Sequence, residues 1–231
     1  MGFLNTTLNS ILSIIFPSKC LSCGEPGSDF CIKCLRDAPA AERESAEWIS
    51  PLYDYRHPSI KKALWLLKYK GKKRLAKIFA EAMYGGILEE LSELSVLENF
   101  RDPILIPIPL AKKRYRERGF NQAELICREL IKLDSDTHLR HSVNVSGANF
   151  TLEKNVLIKP LETKHQAHIE NRSERLKNIV GSFAIKNNEP VKKRNVILID
   201  DITTTGGTLT EAKKILKQSG ARKIIAFTVA H

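Results

Sequence analysis

The chain has 231 residues, of which 42% are hydrophobic and 27% are charged, and this composition is ordinary for a folded globular protein. The length suits one α/β domain with a small appendage, and the lack of any run of about 18 apolar residues predicts no transmembrane helix. The formal net charge of +11 favours polyanionic partners, such as nucleic acid, phosphorylated ligands or an anionic membrane surface, although a solvated basic surface would carry the same charge.

The first apolar stretch covers residues 3–16, where hydrophobic side chains recur at helical spacing. It lacks the preceding basic residues and the small-residue cleavage site of a secretory signal, since the first basic residue is Lys19. We expect a short amphipathic helix, which either packs on the protein or contacts a membrane or a partner.

Two Cys-x-x-Cys pairs follow, formed by Cys20 with Cys23 and by Cys31 with Cys34. Their spacing is typical of two turns that together bind one Zn²⁺ ion. Four thiolates would fill the coordination sphere, so we predict a structural site that replaces a hydrophobic core too small to form here. Disulfides are one alternative, disfavoured in the reducing compartment expected without a secretory signal, and a redox role for one pair is another. Cys127 stands alone in a helical pattern and is predicted to be a buried small hydrophobe.

A polar segment, residues 39–47, is predicted to be a linker. Residues 49–55 alternate like a strand, and residues 61–70 and 74–97 show the apolar spacing of helices, the latter as one or two helices. Basic residues cluster in these helices, either as their solvated faces or as a nucleic-acid contact. The cluster comprises Lys61, Lys62, Lys68, Lys70, Lys72, Lys73, Arg74 and Lys77.

Residues 104–109, with the sequence Ile-Leu-Ile-Pro-Ile-Pro, are predicted to form a buried strand that ends at its prolines. A basic loop leaving the carboxyl end of a parallel strand is suited to binding a pyrophosphate group, with a plain charged loop as the alternative. A helix is predicted from residue 119 to about Leu133, and residues 134–155 are predicted to be a loop. The basic residues of the first loop are Lys112, Lys113, Arg114, Arg116 and Arg118.

Two short strands are predicted at residues 156–158 and 181–185. The polar and basic segment between them, residues 163–178, has the composition of a lid that excludes water over a reacting group, and also that of ordinary exposed helices. Within this candidate lid we single out Gln166 and Arg175.

The stretch from residue 195 to residue 209 gives the strongest signal. Residues 196–199 are a short apolar run, typical of a parallel strand covered on both faces. Two adjacent carboxylates, Asp200 and Asp201, follow at the carboxyl end of that strand, where open α/β sheets bind ligands. The next residues form a loop rich in hydroxyl groups and glycine, namely Thr203, Thr204, Thr205, Gly206, Gly207 and Thr208.

A helix is predicted to begin at Thr208, because Thr208 and Glu211 have the spacing of a capping box. It continues to about residue 218, and a last strand is predicted at residues 224–229. A helix N-terminus under a loop of N–H and O–H donors suits a phosphate group. Paired carboxylates suit vicinal hydroxyls, a hydrated Mg²⁺ ion, or both. The combination predicts a ribose 5-phosphate held at both ends, and a capped turn with two solvated acids is the alternative.

This stretch resembles the phosphoribosyl pyrophosphate (PRPP) motif of type I phosphoribosyltransferases. The resemblance implies that Asp200 and Asp201 contact the ribose hydroxyls and that residues 203–208 hold the 5-phosphate.

A wider resemblance is to the ComF family (ComFC or GntX-like) of bacterial competence proteins. It rests on the four cysteines, on Pro-Ile-Pro at residues 107–109 and on Arg-Gly-Phe-Asn-Gln at residues 118–122, and it continues through residues 163–183. In that family a zinc-binding segment precedes a phosphoribosyltransferase domain. Lys159 stands where the family usually has arginine, and a single ammonium lacks the two-pronged geometry of a guanidinium group.

We therefore predict an α/β fold with a mainly parallel sheet of the type I phosphoribosyltransferase kind at residues 46–231, after a small N-terminal helix and zinc-knuckle segment at residues 1–45. The resemblance implies a cytoplasmic or peripherally membrane-bound protein that binds PRPP with Mg²⁺, contains structural Zn²⁺, and handles incoming single-stranded DNA with the competence helicase machinery during natural transformation. The alternative is an active phosphoribosyltransferase of nucleotide or base metabolism with no direct role on DNA. The sequence leaves catalytic turnover and the acceptor open.

Overall fold

A computed structural model describes most of the chain. The N-terminal stretch at residues 3–16 and the candidate lid with Gln166 and Arg175 lie outside the described residues. The described ranges are 18–41, 46–140 (backbone alone at 137–140), 148–160 and 181–231.

The strands of the described residues are β1 (Ile49–Tyr53), β2 (Ile104–Pro107), β3 (Thr151–Leu152), β4 (Leu157–Ile158), β5 (Ala184–Ile185), β6 (Val196–Ile202) and β7 (Ile224–Ala230). Five of them form a parallel sheet in the order β1-β7-β6-β2-β3, and β4 and β5 form a separate antiparallel pair. Parallel neighbours require crossover connections, and helices supply most of these. The predicted mainly parallel α/β fold is thereby confirmed.

The helices of the described residues are α1 (Ile32–Arg36), α2 (Pro58–Tyr69), α3 (Arg74–Glu98), α4 (Lys112–Arg118), α5 (Gln122–Arg140) and α6 (Gly207–Gln218). Helix α2 begins at Pro58, whose fixed φ suits the first helical turn. Helix α3 is a single helix of 25 residues, and it ends at Asn99, which adopts the left-handed conformation with φ of 51°.

Successive residues of β6 pack on opposite faces of the sheet. Ile197 and Ile199 lie in an apolar cluster with α2, α3 and α5, whereas Val196 and Leu198 pack with α6 and the β4–β5 pair. Because both faces are covered, the strand is continuously apolar rather than alternating. Burial of each such side chain contributes about 1.5–3 kcal/mol. This central strand therefore holds its carboxyl end, with Asp200 and Asp201, in a fixed place between two layers.

Two predicted loops differ from the structure. Residues 112–118 form helix α4, which ends at Gly119 with φ of 74°, because a run of lysine, arginine and glutamate favours a helix once glycine can close it. Helix α5 continues to Arg140, so the start of the predicted loop at residues 134–155 is helical. Residues 134–140 contain no glycine or proline that would end the helix. Asp134 in this helix is buried, and its carboxylate accepts hydrogen bonds from the amide N–H groups of Ala148 and Phe150, both at 3.1 Å. The same predicted loop contains the edge strand β3.

The cysteine-containing segment packs directly on the larger part of the chain. Phe30 and Leu35 belong to the same buried apolar cluster as residues of α2 and α3. The Lys72 ammonium also lies 3.3 Å from the buried carboxylate of Asp29. The division of the chain into domains at residue 45 stays a prediction.

Candidate functional site

A cavity of about 340 Å³ opens at the carboxyl ends of β2 and β6. The chain leaves these neighbouring strands in opposite directions along the sheet, towards β3 and towards β7. Such a switch point is where open α/β sheets place their ligands. Ile202, the last residue of β6, and residues 203–209, which follow it, form one wall. Other lining residues are Tyr55, Lys68, Ile108, Pro109, Leu110, Ala111, Arg114, Arg118, Gln122, Lys159, Asp200 and Asp201.

The loop after β6 presents unbonded donors to the cavity. Gly206 precedes α6 in the left-handed conformation, with φ of 70°. Within the described part of the chain, no group accepts a hydrogen bond from the amide N–H of Thr204, Thr205 or Gly206. The positive end of the α6 dipole lies at the same place. The loop can therefore bind a phosphate group through its backbone without displacing an internal contact.

The predicted capping box at the start of α6 is wrong. The N-cap residue is Gly206, which has no side chain to accept a capping hydrogen bond, and α6 begins at Gly207 rather than at Thr208. Glu211 is buried, and its carboxylate accepts a hydrogen bond of 2.8 Å from the amide N–H of Gly181. Glu211 thus joins α6 to the segment that precedes β5, and the amides of the loop stay available.

Asp201 forms a nearly buried ion pair with α2. The Lys68 ammonium lies 2.8 Å from Asp201 Oδ2, with side chains that are 15% and 6% exposed. Since charges this poorly hydrated attract each other strongly, the pair fixes the Asp201 side chain at the edge of the cavity. Lys68 was predicted only as a member of a basic cluster, because its partner is distant in sequence and no local pattern joins them.

Asp200 precedes Asp201 on β6 and lies in a different electrostatic setting. Burial, followed by the negative charge of Asp201, raises the pKa of Asp200 to about 8. Asp200 Oδ1 also accepts a hydrogen bond of 2.8 Å from the amide N–H of Asp201. Hydroxyl donors or a cation beside such a carboxyl group would favour its ionised form and lower its pKa. The two acids both border the cavity, as a ligand with vicinal hydroxyls requires.

Basic side chains line the same cavity as the acids. Arg114 and Arg118 of α4 line it, whereas Lys112 and Lys113 of the same helix are exposed outside its lining. Burial, with a smaller effect of the nearby Arg114 charge, lowers the pKa of Lys159, and Asp200 opposes this shift. The guanidinium of Arg118 donates a hydrogen bond of 2.9 Å to Gln122 Oε1, which orients it. The cavity can therefore bind an anion with more than one phosphate.

The four N-terminal cysteines come together as a second site. Their sulfur atoms all lie within 4.8 Å of one another, and none of them forms a disulfide. Cys23 Sγ lies 3.7 Å from Cys31 Sγ. The edge of a zinc–thiolate tetrahedron is about 3.8 Å long, given zinc–sulfur bonds of about 2.3 Å. The amide N–H of Cys31 donates to Cys20 Sγ at 3.3 Å, a contact that stabilises a thiolate. The cluster could hold a metal such as zinc.

Comparison with known proteins finds a matching domain family and relatives that cover most of the chain. The phosphoribosyl transferase domain family matches residues 156–231. The DNA utilization protein YhgH of Salmonella typhimurium is 25% identical over 210 residues, 90% of this chain and 81% of the relative. Competence protein F of Haemophilus influenzae is 26% identical over 90% of this chain and 83% of its own length. Competence protein ComFC of Streptococcus pneumoniae is 31% identical over 164 residues, 70% of this chain and 59% of the relative.

This chain is a ComF-family protein with a phosphoribosyl transferase domain. Among solved structures, a hypoxanthine phosphoribosyl transferase of Trypanosoma cruzi aligns with 68% of the ComF-family chain and 64% of its own length. The identity is 10% and the TM-score is 0.40, too low to carry a structural argument. Across the described residues of this ComF-family protein, no helix is both long enough and apolar enough to cross a membrane.

Proposed function

We infer that the cavity binds PRPP or a related phosphoribosyl ligand together with Mg²⁺. The loop of residues 203–208 holds the 5-phosphate, and Asp200 and Asp201 hold the ribose hydroxyls. The pyrophosphate extends towards Arg114 and Arg118. Lys112 and Lys113 remain candidates for the approach of the anion, because they are exposed on the same helix.

One observation carries this proposal, the pairing of opposite chemistries in one cavity. Unbonded amide groups and the α6 N-terminus favour an anion in this cavity. The two carboxylates that line the same cavity favour hydroxyl groups or a cation. A simple phosphate would be repelled by the acids, and a simple cation would be repelled by the arginines. A phosphorylated sugar with hydroxyl groups satisfies both sets of residues.

Asp200 and Asp201 fit a hydrated Mg²⁺ ion, because Mg²⁺ is commonly bound by one or two carboxylates together with phosphate oxygens and water. The ion would supply charge neutralisation for the pyrophosphate. The chain itself orients the acids, through the Lys68 contact to Asp201 and the backbone contact to Asp200.

Calorimetric titration of the protein with PRPP, with and without Mg²⁺, tests the proposal. We expect binding that strengthens with Mg²⁺ and that falls by at least about tenfold in Asp200→Asn and in Asp201→Asn, since each loses a charged acceptor. Asp136→Asn, an exposed change on α5, is the matched control and keeps the affinity of the unchanged protein. Equal PRPP affinity in all four proteins would contradict the proposal.

The role of the ligand is proposed to lie in DNA uptake. The similarity to proteins named competence protein and DNA utilization protein supports this role, as does the net charge of +11. Transformation frequency of a strain that carries the Asp200→Asn/Asp201→Asn variant tests it, with expression level as the control. A transformation frequency equal to that of the unchanged strain would show that DNA uptake does not require ligand binding at these two acids.

Catalytic transfer of the phosphoribosyl group to a nitrogen acceptor, with release of pyrophosphate, is the second candidate. It is favoured by the match of the phosphoribosyl transferase family to residues 156–231, which include both acids and the whole loop. Pyrophosphate release measured over a panel of nucleobases tests it. Tight PRPP binding without pyrophosphate release in the presence of any nucleobase would indicate a protein that binds PRPP without transferring its phosphoribosyl group.

A further inference from the structure

Helix α2 carries two exposed aromatic side chains that are not part of the protein core. Trp65 is 47% exposed and Tyr69 is 55% exposed, and their ring centroids lie 6.2 Å apart. They are four residues apart, so they occupy neighbouring positions on one face of the helix. The opposite face buries Ile60, Ala63, Leu64 and Leu67, so the two aromatic rings are additional to the packing of α2.

Cations lie against the faces of both rings. The Lys70 ammonium is 5.4 Å from the centre of the Trp65 ring, and the Arg118 guanidinium is 5.0 Å from the centre of the Tyr69 ring. Tyr115, which is 49% exposed, lies three residues before Arg118 on α4 and so occupies the same side of that helix. Trp65 and Tyr69 thus each have a cation against the ring, and Tyr115 adds a third exposed aromatic ring. One of the two cations, Arg118, also lines the cavity.

Further positive charge extends along the same face of α2. Lys61 is four residues before Trp65, and Lys62 is three residues before it, and both are exposed. Within the described ranges, no carboxylate pairs with Lys61, Lys62 or Lys70. We call this surface the aromatic platform, and it comprises Trp65, Tyr69, Tyr115, Lys61, Lys62, Lys70 and Arg118.

We propose that the aromatic platform binds single-stranded DNA, with bases stacked on Trp65, Tyr69 and Tyr115 and phosphates on the lysines and Arg118. This proposal rests on the proposed role in DNA uptake, and it names the surface that carries that role. Stacked aromatic rings with basic neighbours are the combination that binds single strands without reading their sequence.

The chemistry of the platform distinguishes this partner from a protein. Protein interfaces are depleted in lysine at their centres, whereas lysine residues interleave with the aromatic residues here. Double-stranded DNA has no free base faces to offer, so its binding would leave the rings unused. Stacking of a base on tryptophan or tyrosine also stabilises more than an exposed cation–π contact does. A base can therefore displace the Lys70 ammonium from Trp65 and free it for a phosphate.

Binding of oligo(dT) of about 12 nucleotides, compared with an abasic strand of equal length and charge, tests the proposal. The abasic strand keeps the phosphates and removes the stacking, so we expect oligo(dT) to bind at least about tenfold more tightly. Trp65→Ala/Tyr69→Ala is expected to abolish that difference, and Trp65→Phe/Tyr69→Phe to retain most of it. Val96→Ala/Leu97→Ala is the matched control, because it removes exposed apolar side chains at the far end of α3.

Calorimetry with PRPP on Trp65→Ala separates this proposal from the proposed function, because Trp65 does not line the cavity and its neighbouring cation is Lys70 rather than Arg118. An unchanged melting temperature shows that Trp65→Ala/Tyr69→Ala is folded. If Trp65→Ala/Tyr69→Ala binds oligo(dT) as tightly as the unchanged protein does, the platform proposal is overturned and the PRPP proposal is unaffected. Platform-dependent binding in a protein without PRPP affinity overturns the PRPP site alone. Tighter binding of oligo(U) than of oligo(dT) overturns the assignment to DNA.

Discussion

At the residue scale, the cavity holds two neighbouring carboxylates with different partners. Asp201 lies beside the Lys68 ammonium. The pKa of Asp200 is raised mainly by burial and next by the negative charge of Asp201. One acid therefore has a cation of the protein beside it, and the other, with its raised pKa, gains from a ligand that brings hydroxyl donors or positive charge.

The Lys68–Asp201 pair predicts a change in stability. Lys68→Met leaves a buried carboxylate without its cation, so we expect it to lower the free energy of unfolding by about 3 kcal/mol at neutral pH. Lys68→Met/Asp201→Asn removes both charges and should recover most of that loss. Urea unfolding measures both. Lys132→Met, which breaks the exposed pair with Glu129, is the control and should cost less than about 1 kcal/mol. Equal losses in Lys68→Met and in the double variant would contradict the pairing.

Asp200 predicts a dependence of stability on pH. Its pKa is raised from 3.8 to about 8, so the folded protein keeps a proton that the unfolded chain releases. The free energy of unfolding should therefore fall as the pH rises from about 4 to about 8. Asp200→Asn cannot ionise, so its stability advantage should grow by up to about 1.4 kcal/mol per pH unit across this range.

Urea unfolding of the ligand-free protein at a series of pH values measures this advantage. Asp136→Asn, on the exposed side of α5, should follow the unchanged protein at every pH. If the stability of Asp200→Asn also ran parallel to that of the unchanged protein, folding would not raise the pKa of Asp200.

At the element scale, the strand–loop–helix unit from β6 to α6 positions the site. Gly206 adopts φ of 70°, and a Cβ atom added there would lie 3.3 Å from Ile49 Cδ1. The loop therefore needs glycine for its backbone conformation and for its close approach to β1.

Gly206→Ala is expected to lower stability by about 1–2 kcal/mol and to weaken PRPP binding by at least about tenfold, because the loop amides would be redirected. Gly85→Ala is the matched control. Gly85 lies in the interior of α3 with nothing within 4 Å of an added Cβ, so this change should raise stability by about 0.5–1 kcal/mol and leave PRPP binding unchanged. Thermal unfolding and calorimetry check both. Normal PRPP affinity in Gly206→Ala would exclude the loop as the phosphate site.

Sequence patterns predicted most elements of the fold but fewer of the contacts within the site. The apolar run of β6 and the helical spacing of α2 and α3 are local signals, and they located these elements correctly. Helix α4 was mistaken for a loop because its residues are polar throughout, which leaves no apolar period to detect. Strand β3 has two residues, which is too short for any pattern. The Lys68–Asp201 pair and the partner of Glu211 join distant parts of the chain, so only the folded structure brings them together.

At the scale of the whole molecule, the cysteine cluster and the α/β part share one core. Cys20, Phe30 and Leu35 are buried in the same apolar cluster as residues of α3 and the sheet. A metal in the cluster would therefore stabilise more than the short segment that holds it.

Zinc removal is predicted to lower the melting temperature of the whole chain as one transition. We expect one zinc ion per chain, lost in Cys34→Ser together with a drop in melting temperature. Metal analysis and calorimetric melting measure both. Cys127→Ala, a buried change in α5, is the control, since it should destabilise the protein by removing a packed side chain while the zinc content stays the same. A full zinc content in Cys34→Ser would exclude the four-cysteine site.

The last turn of α2 places Lys68 and Tyr69 side by side in sequence, one against Asp201 in the cavity and the other against Arg118, which both lines the cavity and belongs to the aromatic platform. Any movement of this turn that follows stacking on Tyr69 also moves the cation beside Asp201. Thermodynamic linkage then makes the effect reciprocal: a filled cavity changes the affinity for a strand by the same factor as a bound strand changes the affinity for the sugar phosphate. A single helical turn is thus sufficient to couple the binding of the two ligands.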